Sequence, residues 1–192
     1  MDFHGILFFP VTPFNPDGAL AHETLAAHVE TGIANGAGAV FPACGTGEYH
    51  ALSAAEAAAV TRTVTTTVAG RVPVIAGSGG VLGHAIEVGQ AAAAAGADAL
   101  LVLPPYLVSG TQDGLVRYVE RIAEAAELPV IVYRRGSALY SVDTMRRLAS
   151  NPAVVGFKDG VAISARRSRS CVRFTRSDGA TSHSSTVCSP RS

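Results

Sequence analysis

Lysine is nearly missing from this 192-residue chain: of 15 basic residues 14 are arginine, and the one lysine stands at position 158. A guanidinium keeps its proton at any working pH, whereas a buried or cation-flanked lysine loses its proton more easily and can attack a carbonyl. Lys158 is therefore the first residue to question, with chance in an arginine-rich composition as the plain alternative. Net charge is missing too: 15 acidic residues balance the 15 basic ones, which removes the electrostatic case for nucleic acid or an anionic membrane as partner. Cysteine is scarce. Cys44, Cys171 and Cys188 form neither an even disulfide framework nor metal-ligand spacing, and they predict a reducing, cytoplasmic setting. The six histidines are scattered, so neither a metal nor an organic cofactor is expected. No apolar run nears the roughly 18 residues of a membrane span, and the N-terminus has no basic region followed by an apolar one.

What is present is a repeating pattern. Short apolar, β-branched runs recur at 6–9, 39–42, 72–76, 99–103, 130–133 and 154–158, each too continuous for a half-exposed strand. Helical stretches separate them at 23–35, 53–69, 81–95, 111–127 and 141–149. Ser53-Ala-Ala-Glu56 reads as a capping box, and Gly36, Gly70 and Gly96 stand where a left-handed exit residue is wanted. Strand starts step by 33, 33, 27, 31 and 24 residues, and Gly36-Ala-Gly-Ala-Val40 returns as Gly96-Ala-Asp-Ala-Leu100. This period predicts an α/β chain of the (β/α)8 TIM-barrel class, with about six β/α units over residues 1–164.

In such a barrel the chemistry gathers where strands end. The second run leads into Cys44-Gly-Thr-Gly-Glu-Tyr49, which presents successive backbone N–H groups and the Thr46 hydroxyl. It reads either as a cradle for a carboxylate or as a plain glycine turn. Gly77-Ser-Gly-Gly80 reads as a turn rather than a phosphate loop, since no Lys, Ser or Thr follows the glycines. The fourth run ends at Tyr106, the fifth at Tyr133 with Arg134 and Arg135 behind it, and the sixth at Lys158. A tyrosine in such a place is either a core-edge aromatic or a proton shuttle for a neighbouring amine. The two arginines suit either a second acidic group on a substrate or solvent.

Phe9-Pro-Val-Thr-Pro13, Gly45-Thr-Gly-Glu48, Leu103-Pro-Pro-Tyr106, Val130-Ile-Val-Tyr133 and Gly156-Phe-Lys-Asp-Gly160 together resemble the dihydrodipicolinate synthase and N-acetylneuraminate lyase superfamily of aldolase-type barrels. The resemblance covers about residues 3–161. It implies that Lys158 forms a Schiff base and that Tyr133 assists proton transfer. It also implies that Gly45, Thr46 and Gly47 hold the carboxylate of a small 2-oxo acid, and that Tyr106 corresponds to a tyrosine reaching across a dimer interface. A homo-oligomer without cofactor follows for a complete barrel. Gly45 replaces a hydroxyl residue usual in the synthases and lyases, and fits the dehydratases of the group better. A synthase or aldolase of the same superfamily is the alternative, and an inactive fragment is another.

The last stretch departs from all this. Residues 1–165 hold 9 basic and 14 acidic groups, whereas residues 166–192 hold 6 arginines, one acid and 8 serines. Such text predicts a disordered tail over 165–192, of the kind a shifted reading frame or truncation produces, beside a barrel with open edges and little activity.

Overall fold

A continuous apolar run leaves a strand no solvent face, so it needs cover on both sides, and the helices between strands supply it. A computed structural model describes residues 3, 5–105, 109–136, 138–160, 170–175 and 184–189. In order these form β1 (Ile6–Phe8), α1 (His22–Ala34), β2 (Ala37–Val40), α2 (Ala54–Val68), β3 (Ile75–Ser78), α3 (Leu82–Ala94), β4 (Ala99–Val102), α4 (Gln112–Ala126), β5 (Val130–Arg134), α5 (Val142–Ala149) and β6 (Val154–Asp159). A hairpin of β7 (Ser170–Thr175) and β8 (Ser184–Ser189) follows.

The first six strands run parallel in chain order. β1 pairs with β2, one bridge from Val40 to Val74 carries β2 onto β3, and β3 to β6 lie side by side. An unreversed parallel order with a helix at each crossover is the wall of a TIM barrel; a doubly wound sheet reverses its order midway. Side chains alternate across that wall. Leu101, Ile131 and Tyr133 join Phe41, Cys44 and Ile75 on the inner face, while Leu100, Val102, Val130 and Val132 pack beneath α4 on Leu115, Val119 and Ile122. Helix starts follow their caps. The Glu56 N–H donates to Ser53 Oγ at 3.2 Å and the Ser53 N–H to Glu56 Oε2 at 2.8 Å, the reciprocal box expected at α2. Gly36, Gly70 and Gly96 take φ values of 85°, 74° and 84° at the exits of α1, α2 and α3.

The end of the chain differs from expectation. No strand is predicted there, yet β7 pairs antiparallel with β6, matching Arg173 to Phe157 and Val172 to Lys158, and β8 pairs with β7. Cys171-Val-Arg-Phe-Thr175 alternates as a strand does, a signal that the serine and arginine content conceals. An uncovered β6 edge is a row of unpaired backbone groups that captures such a segment. The expected open edge at β6 is thus occupied. The predicted boundary near residue 164 lies outside the described residues.

Candidate active site

The position of Lys158 depends on an irregularity in β6. Val154 packs on the helix side of the sheet and Val155 on the inner side, so strict alternation would send residue 158 outward. The ladder with β5 slips instead: Val130 pairs with Val154, but Ile131 pairs with Gly156, leaving Val155 as a bulge. Past it Phe157 faces the helices, and Lys158, opposite Tyr133, faces inward. The amine nitrogen lies 4.1 Å from the ring centre of Phe9 and 4.3 Å from that of Tyr133. The expected pair of Lys158 and Tyr133 is therefore brought together. Gly160 leaves room for the phenol, since a Cβ there would stand 2.7 Å from Tyr133 Cε2 and 2.9 Å from its hydroxyl.

Burial is the main cause that pushes the Lys158 amine below the ordinary lysine value; a Cys44 thiolate would pull it up, and Arg135 pushes it further down. Burial also raises the Cys44 thiol to about 12, so at neutral pH that thiol is uncharged and its upward pull is absent. Desolvation and Arg135 are left acting in the same direction, toward a neutral amine. That is the state in which the nitrogen lone pair can attack a carbonyl.

The loop after β2 is held open by strain at both ends. Ala43 and Glu48 take positive φ values of 48° and 55°, a costly region for residues other than glycine. The Tyr49 N–H donates to Cys44 O at 3.1 Å, the Glu48 N–H to Gly45 O at 3.2 Å, and Thr12 Oγ1 to Gly47 O at 2.9 Å. Among the described residues the amides of Gly45, Thr46 and Gly47 donate to no protein acceptor. Thr46 is exposed. Three unused donors and a hydroxyl on a constrained turn suit an anion. Gly77 belongs to this turn and not to a phosphate loop: its N–H donates to Pro42 O at 3.1 Å, and a Cβ there would overlap the Ala43 carbonyl. Tyr106 lies outside the described residues.

Two features escape sequence reasoning. Arg134 and Arg135 are neighbours with different fates: Arg134 Nη1 lies 2.9 Å from Asp159 Oδ2, its register partner on β6, whereas Arg135 has no carboxylate within salt-bridge distance among the described residues. Arg135 also borders a cleft of about 560 Å³ with Gly45, Glu48, Tyr49, His50 and His84. The histidines stand 34 residues apart in sequence, and only the packing of both rings on Tyr49, at 5.4 and 6.0 Å, unites them. Burial, then Arg135, then His84 hold His50 below the usual histidine value.

A family profile described as the dihydrodipicolinate synthetase family matches residues 2–177. A probable 5-dehydro-4-deoxyglucarate dehydratase of Streptomyces avermitilis is 52% identical over 156 residues, covering 81% of this chain and 47% of that protein. One from Bacillus subtilis is 43% identical over 157 residues, covering 82% and 51%. Among solved structures, a dihydrodipicolinate synthase from Bacillus anthracis superposes with a TM-score of 0.78 at 34% identity, over 83% of this chain and 56% of that one. The enzyme from Acinetobacter baumannii, complexed with pyruvate, gives 0.77 at 37% identity over 82% and 56%. The chain thus spans about half the length of the curated relatives it matches.

Proposed function

The chain belongs to the dihydrodipicolinate synthetase family, and from that membership we propose that it carries the Schiff-base half of a lyase site. The reaction we infer is dehydration and decarboxylation of 5-dehydro-4-deoxy-D-glucarate to 2,5-dioxopentanoate. The observation that carries this reading is the inward Lys158 amine between Phe9 and Tyr133, desolvated and beside a loop of unused amide donors. Identity to proteins named for that dehydratase supports the choice of substrate.

Lys158 Nζ adds to the 5-oxo carbon, and the carbonyl oxygen leaves as water, forming an iminium. The Gly45–Gly47 amides and Thr46 hold the adjacent carboxylate. The iminium acidifies the hydrogens on carbon 4; one proton is relayed through the Tyr133 hydroxyl, against the amine, to the carbon 3 hydroxyl, which departs as water. The bond between carbons 1 and 2 then breaks, carbon dioxide leaves, and its electron pair moves through the conjugated system to the iminium nitrogen. Reprotonation and hydrolysis return the amine. The net change is loss of one water and one carbon dioxide, and imine chemistry of this kind requires neither metal nor organic cofactor.

The partner is accordingly a small 2-oxo acid, and self-association into a homo-oligomer accompanies it in a complete barrel. Carbon dioxide release from 5-dehydro-4-deoxy-D-glucarate, lost in K158M, is the expected result. Release of pyruvate instead would assign the chain to the aldolase reading.

A further inference from the structure

We propose that Arg135, resting against Gly45 at the mouth of the cleft, binds the carboxylate at the far end of a dicarboxylic 2-oxo acid, and so distinguishes diacid substrate from monoacid product. The proposal rests on the Schiff-base reading of Lys158 and adds the class of acid that this amine accepts.

Of the two consecutive arginines only Arg135 is available. Arg134 is committed to Asp159 at 2.9 Å, while among the described residues Arg135 has no carboxylate partner. Its guanidinium carbon lies 6.0 Å from the Tyr133 ring centre, the same ring whose centre is 4.3 Å from Lys158 Nζ, so the guanidinium and the amine flank one ring. The carbon skeleton of an aldaric acid derivative bridges that span once its oxo carbon sits on Lys158.

Gly45 completes the arrangement. A Cβ at this position would stand 3.3 Å from Arg135 Nη1, so the missing side chain gives the guanidinium its seat over the loop. A planar fork of donors matches a carboxylate in bidentate fashion, which an ammonium does not. Glu48 on the same cleft disfavours anions and narrows the favourable place to the Arg135 side.

The contact has a direction in the reaction. The far carboxylate is the one that leaves as carbon dioxide, so substrate brings a partner for Arg135 and product does not. Product therefore departs without breaking a charge-assisted bond.

The test compares 2-oxoadipate with 2-oxohexanoate, which share the six-carbon length of the inferred substrate and differ in the far carboxylate. Each is titrated against the 192-residue chain under borohydride reduction, and the concentration giving half-maximal label at Lys158 is read by mass spectrometry. Only the ratio of the two concentrations counts, because Arg135 also acts on the amine. A ratio of about tenfold or more in favour of the diacid is expected, as one charge-assisted hydrogen bond contributes roughly 1.5–3 kcal/mol. It should fall to within about twofold in R135Q, stay intermediate in R135K, and shrink with added salt in the unmodified chain. Equal labelling by both acids in the unmodified chain, or a preference that persists in R135Q, overturns the proposal. Because the first of these outcomes needs no variant, a misfolded R135Q does not shelter it. Absence of label with either acid and with pyruvate overturns the Schiff-base reading and this proposal together; label with pyruvate but no diacid preference overturns this proposal alone.

Discussion

In the proposed reaction a single amine, Lys158, carries the chemistry, and its surroundings set the pH at which it would react. Burial, with Arg135 as a second cause, lowers the Lys158 pKa, so labelling by a 2-oxo acid should rise with pH to a midpoint below that of an ordinary lysine. R135Q removes a positive neighbour, and the midpoint should move up; a midpoint that moves down would reverse the assigned sign. The same shift makes folding stability increase with pH between the lowered value and the ordinary one, since the unfolded chain there binds the proton more tightly. Thr46→Val removes the loop hydroxyl and should raise the pyruvate concentration for half-labelling about tenfold. Unchanged titration would leave the loop a structural turn. Gly160→Ala forces a methyl to within 3 Å of the Tyr133 phenol and should slow turnover while leaving the circular dichroism spectrum in place. Lys158 is legible in the sequence because it is unique and ends an apolar run. Arg135 is not, because nothing in Tyr133-Arg-Arg135 tells that the first guanidinium is neutralised by Asp159, 25 residues away.

At the scale of elements, β6 is the decisive piece. Its alternation turns Lys158 toward the helices, and one bulged residue turns it back. Inserting one alanine between Gly156 and Phe157 should take Lys158 out of register with Tyr133, turn it toward the helices and abolish labelling in a chain that keeps its helical content; an insertion variant that still labels would show that this register does not aim the amine. Run lengths reveal the strands but not their ends. The third strand is expected at 72–76 and observed at Ile75–Ser78. Pro73 has no N–H to donate, and the Val74 N–H donates to Asp98 Oδ2 at 2.8 Å, so the ladder begins later. β2 is expected at 39–42 and ends at Val40, where Pro42 and the positive φ of Ala43 turn the chain into the loop. Caps are the most readable feature, since both partners of the Ser53 and Glu56 box lie within one turn. Ser53→Ala should cost about 1 kcal/mol of stability in urea unfolding.

The described residues form six strands and five α-helices of a barrel wall, continued at β6 by the antiparallel strands β7 and β8, and among them β1 pairs with β2 alone. Composition conceals that hairpin, because a strand recruited by a free edge needs little hydrophobicity of its own. The wall already gathers Phe9, the loop after β2, Tyr133, Arg135 and Lys158 at one end. The most direct measurement is borohydride reduction of the chain in the presence of pyruvate, followed by peptide mapping. With one lysine in the sequence, the α-amino group is the sole competing amine. One reduced pyruvate on the peptide bearing Lys158, absent without pyruvate and absent in K158M, is the predicted result; an unmodified Lys158, or label confined to the α-amino group, would contradict it.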